Sequence, residues 1–370
     1  MVITSVAQVY LFVSGLAVSI AATAAFTILV KHLALRWNLV DQPNHRSVHK
    51  KPIPRVGGVA IVGGFIVGLT YFYGLQILVP QWAWIIDFPD KWILVGAGIM
   101  FLLGLTDDLL QIKPRVKLFF QALAAFVVVA GGFRFQIPFL YFQDWGMMNE
   151  IIAAAITFVW IIGIINAVNL MDGMDGLAAG MGVIAISSLT IALAVNGYGP
   201  DIVLVTAFIG ALVGFLLYNT YPASIFMGDS GSLFLGFILA TFSLPTAGAQ
   251  VGGLSYLVPI LALGLPILDT LTSIIRRGLK GNGIFTADRD HIHHRLFKDR
   301  GERQRSTVFI LYAVNAIFGV MAILILSSRA MAQVTLVLSL TAIFCLLFLL
   351  KLGYIQIKQE SSTRKTQILN

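Results

Sequence analysis

Two adjacent carboxylates, Asp107 and Asp108, begin a series of acidic and amide side chains set into an otherwise hydrocarbon-like chain. Ionisable groups beside lipid are costly and mark function by default. A pair of acids calls for a cation, unless the helix end simply dips into the headgroups. Asn166 and Asn169 lie three apart, on neighbouring parts of one helical face, and are followed by Asp172-Gly173 and Asp175-Gly176. The glycines favour a turn, and amide and carboxylate oxygens converging there are hard ligands suited to Mg²⁺ or Mn²⁺. Asn219 stands ten residues before Asp229, with Pro222 between them and Gly228 and Gly231 flanking the acid. Glycine lets a carboxylate approach a metal or phosphate closely, and Ser230 or Ser232 can cap the helix that follows.

The basic groups complement these acids. Lys117 opens a helix after Pro114, so that Arg115 and Lys117 are expected to face the same aqueous pocket and hold phosphate. Asp288, Arg289, Asp290, His291, His293, His294 and Arg295 crowd into one short run. A His-x-His-His pattern can bind zinc, but no cysteine supports it and no spaced fourth ligand follows. An anion clamp of charge-assisted bonds to a pyrophosphate explains the cluster better, with a solvated charge run as the plain alternative. His45, Arg46, His49, Lys50, Lys51 and Arg55 precede Gly57-Gly58 and can cover the same phosphates, although positive-inside bias alone also produces such a loop. Asp269, two turns before Arg276 within an apolar run, reads equally as a structural ion pair or as a catalytic group.

The elements that must position these groups are membrane helices. At 58% hydrophobic and 11% charged, with a mean hydropathy of +0.88, the 370-residue chain is too apolar for a soluble domain and cannot be disordered. About eleven apolar runs read as bilayer spans, the third and eighth of them short: 4–30, 57–79, 92–106, 116–132, 150–168, 177–196, 201–218, 232–247, 254–275, 307–327 and 332–353. The fold class is therefore all-α, a polytopic bundle of about 11 spans, with one membrane-embedded domain over 1–353 and a tail over 354–370. With the N-terminus outside, alternation leaves only Lys91, Arg134 and Arg329 of the 25 lysines and arginines on the outer face. All the polar stretches then share the cytoplasmic face. The net charge of +8 lies beside spans, where anionic lipid and phosphate substrates account for it without nucleic acid. The lone cysteine, Cys345, sits in the last apolar run and excludes a disulfide framework.

Taken together, DD at 107–108, NAVNLMDGMDGL at 166–177, FMGDSGSL at 226–233 and DRDHIHHRL at 288–296 resemble the signatures of the polyprenyl-phosphate N-acetylhexosamine-1-phosphate transferase superfamily, in the same order and over nearly the whole chain. The His-Ile-His-His form resembles the bacterial branch that uses UDP-GlcNAc, rather than the branch that takes UDP-MurNAc-pentapeptide. The resemblance implies a plasma (inner) membrane enzyme, using Mg²⁺ or Mn²⁺ and open to the cytoplasm, that moves GlcNAc-1-phosphate from UDP-GlcNAc to undecaprenyl phosphate and releases UMP.

It also implies roles for single positions. Asp229 would bind the metal with Asn169, Asp107 and Asp108 would sit near the acceptor phosphate, and Lys117 would contact phosphate. Asn166, Asp172 and Asp175 belong to the nucleotide-sugar region, Asn219 to the uridine, and Arg289, His291, His293 and His294 to the pyrophosphate and sugar. One departure stands out: where several members carry a third acid, D-D-x-x-D, position 111 is Gln. Transfer of another UDP-N-acetylhexosamine is the nearest alternative. A cation-coupled transporter is the reading from a different class, motivated by intramembrane acids and broken helices.

Overall fold

The structure, a computed structural model, describes residues 2–42, 51–82, 86, 88–137, 145–197, 199, 201–248, 254–279, 291–299, 303–328 and 330–354. Its elements are α1 (Val2–Arg36), the strands β1 (Val40–Asp41) and β2 (Ile53–Pro54), α2 (Gly58–Leu78), α3 (Lys91–Leu110), α4 (Pro114–Ala130), α5 (Met147–Met171), α6 (Leu177–Val195) and α7 (Ile202–Asn219). They continue with α8 (Gly228–Gly248), α9 (Leu257–Ala262), α10 (Gly264–Leu279), α11 (Ile292–Asp299), α12 (Gln304–Ser327) and α13 (Met331–Lys351). Nine of these helices, among the described residues, are long and apolar enough to cross a bilayer. The chain is a multi-pass membrane bundle.

The two remaining apolar runs of the expected eleven are helical but different in form. α4 has 17 residues, begun by Pro114 at a first-turn position where its missing N–H costs nothing. The run at 254–275 is divided into α9 and α10 at Leu263. Pro266 explains the division, because its ring opposes the carbonyl four residues earlier, at Ala262, and it cannot donate to the helical ladder. α3 extends beyond its apolar run to Leu110, so Asp107 and Asp108 occupy its last turn.

α8 is the axis of the bundle. Its spanning window is 94% buried, with Leu233, Phe234, Leu235, Phe237 and Ile238 enclosed on successive faces. A helix apolar all round belongs inside such a bundle. α1, α2 and α7 pack as a second group through small residues. Gly210 and Gly214 of α7 lie against Ser19 and Ile20 of α1, where a Cβ would stand 2.5 Å from their atoms. The Gly-x-x-x-Gly pattern is thus used within the chain.

A two-stranded antiparallel ribbon, Val40 opposite Pro54 and Asp41 opposite Ile53, turns the chain between α1 and α2. Its second strand runs on beside the segment before α8: Phe226 N donates to Pro54 O at 2.7 Å, Gly57 N to Phe226 O at 2.9 Å and Gly58 N to Met227 O at 2.8 Å. This backbone seam fixes the start of α8, where the polar stretches meet.

Candidate active site

The site is built around the first turn of α8. Gly228 adopts φ +71°, and a Cβ there would meet Arg55 O and both Asp108 carboxylate oxygens. Only glycine permits that approach. Asp108, buried in the last turn of α3, accepts from Asp229 N at 2.8 Å, Ser230 N at 3.0 Å and Ser230 Oγ at 2.6 Å. It is the cap of α8, supplied by another helix, and it satisfies the amides that a helix start leaves open. Ser230 and Ser232, expected as caps, lie inside the helix; Ser230 donates to Asp108, and Ser232 accepts from Asn169 Nδ2 at 2.8 Å. Arg55 Nη2 donates to Asp108 O at 2.7 Å and ties the seam to α3.

Asp107 points the other way. Its Oδ1 accepts from Ile112 N at 2.8 Å, helped by Gln111, which ends α3 in the left-handed region at φ 53°. Its Oδ2 lies 2.7 Å from Lys117 Nζ, and the same ammonium lies 2.5 Å from Asp229 Oδ2. Lys117 therefore joins carboxylates from α3 and α8, with its own α4 as the third support. Asn169 Nδ2 donates to Asp229 Oδ1 at 3.3 Å, bringing α5 to the same point. Four helices converge on Asp229.

These groups open on a cavity of about 340 Å³ whose walls include Arg55, Asp107, Gln111, Asp172, Asp175, Asn219 and Asp229. Its far wall is the tandem Asp-Gly turn. Asp175 Oδ2 accepts from Ala223 N at 2.9 Å, while Asn219 accepts from Gly176 N at 3.0 Å and donates to Ile225 O at 2.8 Å. Both residues hold the turn against the segment 219–225. Asp172 makes no such tie; burial, then the negative charges of Asp229, Asp108 and Asp175, push its carboxyl up to about 7. A cationic partner beside it would relieve both effects.

Above the turn, His293 is buried, and a Cβ on Gly173 would stand 2.5 Å from its Nε2. Burial, with His294 beside it, pushes the His293 imidazole down to about 3, so the ring is neutral at physiological pH. His291 and His293 stack at 5.7 Å between ring centroids, and His293 and His294 meet at 4.3 Å. Among the described residues no group of three His, Cys, Asp or Glu is arranged to hold a metal ion.

The structure thus gathers Asp107, Asp108, Lys117, Asn169, Asp172, Asp175, Asn219 and Asp229 at one place, with His293 over it. Asn166 is elsewhere: its Nδ2 donates to Gln121 Oε1 at 2.8 Å and to Ile162 O at 2.8 Å, and Gln121 Nε2 returns a bond at 3.3 Å. It clamps α5 to α4 one turn beneath Lys117 and is not on the cavity wall. Arg115 is exposed and is not on the cavity wall. Arg289, Asp288, Asp290, His45, Arg46, His49 and Lys50 lie outside the described residues.

Sequence reasoning missed Gln121 and Tyr312, and gave Ser232 a capping role where the structure gives it the amide of Asn169. Gln121 had a signal, standing four residues after Lys117 on the same face. Tyr312 had none. From mid-span α12 its hydroxyl donates to Gly176 O at 2.6 Å, at the residue that starts α6 with φ +76°. Tyr312→Phe is expected to cost about 1 kcal/mol, the net worth of one hydrogen bond, read as a lowered melting temperature in detergent. An unchanged midpoint would show that the bond does not help to hold the turn.

The profile of glycosyl transferase family 4 matches residues 92–247, the segment from α3 to α8 that contains the carboxylate centre. A Bacillus subtilis protein named probable undecaprenyl-phosphate N-acetylglucosaminyl 1-phosphate transferase is 38% identical over 339 residues, covering 90% of this chain and 89% of the relative. A Mycolicibacterium smegmatis protein named decaprenyl-phosphate N-acetylglucosaminephosphotransferase is 31% identical over 305 residues, 76% of this chain and 74% of the relative. An Escherichia coli K12 protein named undecaprenyl-phosphate alpha-N-acetylglucosaminyl 1-phosphate transferase is 26% identical over 329 residues, 87% and 86% of the two chains.

Proposed function

The chain belongs to glycosyl transferase family 4, and from that premise we propose that its cavity transfers N-acetylglucosamine 1-phosphate from UDP-GlcNAc to undecaprenyl phosphate, releasing UMP. The observation that carries the reading is the ion triad of Asp107, Lys117 and Asp229, drawn from three helices onto one point, with both of its carboxylates walling the cavity beside an acid-rich turn. A transporter would place its coupling groups near the bilayer midplane. Here the acids stand at helix ends, and relatives named for one phosphosugar transfer favour the enzyme. By the positive-inside bias, the site opens to the cytoplasm of a plasma membrane, where a soluble nucleotide sugar reaches it.

In this reaction an oxygen of the lipid phosphate attacks the sugar-bearing phosphorus of the donor. The P–O bond to UMP breaks and UMP takes the electron pair. Such transfers ask mainly for positioning and charge neutralisation. Lys117 supplies a fixed positive charge at the reacting phosphates. Asp107, exposed to the cavity and not committed to a cap, accepts the remaining proton of the lipid phosphate or orients its attack. Asn219 and Asp175 hold the Asp172-Gly173 turn in place for the donor, and the histidines close over it.

A divalent ion, Mg²⁺ or Mn²⁺, would neutralise the diphosphate oxygens when bound. Asp229 and the amide of Asn169 are the residues that would hold it. Mg²⁺ commonly takes only one or two protein carboxylates and draws its other oxygens from phosphate and water, and one carboxylate beside one side-chain amide, 3.3 Å apart here, is a donor set of that kind.

The test is UMP release by the purified protein with undecaprenyl phosphate and Mg²⁺, comparing UDP-GlcNAc with UDP-MurNAc-pentapeptide. Turnover of UDP-GlcNAc is expected, and its loss in excess chelator with restoration by added Mg²⁺. Turnover of the pentapeptide donor alone would move the chain to another specificity, and no UMP from any UDP-sugar would remove the enzymatic reading.

A further inference from the structure

Asp269 is fully buried in α10, a position where a carboxylate is stable only if its oxygens are matched. Both are. Oδ2 lies 2.7 Å from His291 Nδ1, and Oδ1 accepts from Ile292 N at 2.6 Å, the first amide of α11. Ser273 Oγ, one turn along α10, is 3.3 Å from the same His291 nitrogen. One carboxylate therefore fixes both the ring and the helix it leads into. A negative group at a helix start also complements the helix dipole.

The contacts continue toward the cavity. His291 stacks on His293 with the rings 9° from parallel, and His293 Nε2 rests against Gly173. On the far side of α11, Arg295 lies 3.8 Å over the Tyr354 ring and donates to Leu352 O at 3.2 Å, so the helix is fixed at that side by the end of α13. The turn at Asp172-Gly173 is thus roofed by a histidine whose place is set from α10.

We propose that Asp269 is a positioning residue for the sugar-diphosphate donor. It holds His291 with the proton on Nδ1 and anchors the start of α11, and through the stacked ring it keeps His293 over the Asp172-Gly173 turn. The inference rests on the reading of the cavity as a nucleotide-sugar site. It assigns Asp269 no contact with substrate, and it resolves the choice between structural pair and catalytic group in favour of orientation.

The experiment is Asp269→Asn in the full-length protein. Asparagine offers one acceptor oxygen where two are needed, so either the ring or the helix amide loses its partner. The KM for UDP-GlcNAc is expected to rise about tenfold or more, the usual effect of one lost charge-assisted bond, with the KM for undecaprenyl phosphate unchanged. In a His291→Ala background the same substitution is expected to cost less than about threefold, because residues acting through one another do not add. Equal changes in both KM values, or multiplicative effects in the double variant, would overturn the proposal.

Amide hydrogen exchange of residues 291–299 reads the placement without any substrate. Faster exchange there in D269N is expected, and unchanged exchange would refute the anchoring role. A parent protein that releases no UMP defeats the functional reading alone, since the exchange result still decides about Asp269. Should D269N fail to fold, His291→Asn approaches from the other side. Its amide nitrogen stands where Nδ1 stood, and it is expected to keep α11 protected while donor KM rises; loss of that protection would count against the proposal.

Discussion

Replacing Asp229 with alanine is expected to abolish UMP release, by about 10³-fold or more, while the bundle stays folded. Asp229 receives Lys117 at 2.5 Å and Asn169 at 3.3 Å, and it stands in the first turn of α8 at the wall of the cavity. Among the described residues of the site, no other carboxylate touches side chains of both α4 and α5. Truncation leaves Lys117 paired with Asp107 alone and removes the acid facing Asn169, so the charge arrangement that the proposed transfer relies on is lost. Its contribution to stability is modest by comparison, because a carboxylate in a first helical turn contributes at most about 1 kcal/mol through the dipole when partly exposed. Asp229→Asn separates charge from shape: it keeps the volume and is expected to be nearly as inactive. Activity within about tenfold of the parent in either variant, with an unchanged melting temperature, would remove Asp229 from the centre of the mechanism.

Much of this arrangement was legible because the chemistry is local. Asn169, Asp172 and Asp175 share one short run, Asp229 lies between glycines, and Asp107 and Asp108 end an apolar helix, so motif and element coincide. Apolar run length also located the nine helices long enough to cross, since a bilayer demands about 20 apolar residues whatever the packing. What escaped depends on distant partners. Adjacent acids look alike in sequence, yet the helical step of about 100° turns them in different directions: Asp108 toward the amides of α8, 121 residues away, and Asp107 toward the cavity. Asn166 pairs with Gln121 of α4 for the same reason, a contact across 45 residues that no spacing rule encodes. The short ribbon of β1 and β2 has two residues in each strand, too few for alternation to show. The division between α9 and α10, by contrast, had its signal in Pro266.

That difference between the paired acids gives the second large effect. Asp108→Ala is expected to unfold the site, not merely to slow it. The substitution removes the acceptor of two backbone amides and one hydroxyl at a buried helix start. A lost cap costs about 0.5–2 kcal/mol, and each buried donor left unsatisfied costs about 1–3 kcal/mol. A destabilisation of about 2–4 kcal/mol follows, read as a clear fall in melting temperature in detergent, with activity lost because Asp229 no longer has a fixed backbone. Asp107→Ala should do the reverse: its carboxylate meets a lysine and the amide of Ile112 at the cavity edge, so stability changes little while transfer falls steeply. A base that acts directly would give the opposite pattern for Asp108, with activity lost at an unchanged melting temperature. Measuring both quantities for both variants therefore assigns one acid to the helix and the other to the phosphate, and Asp108→Asn, which keeps a single acceptor oxygen, should fall between the parent and the alanine variant in stability.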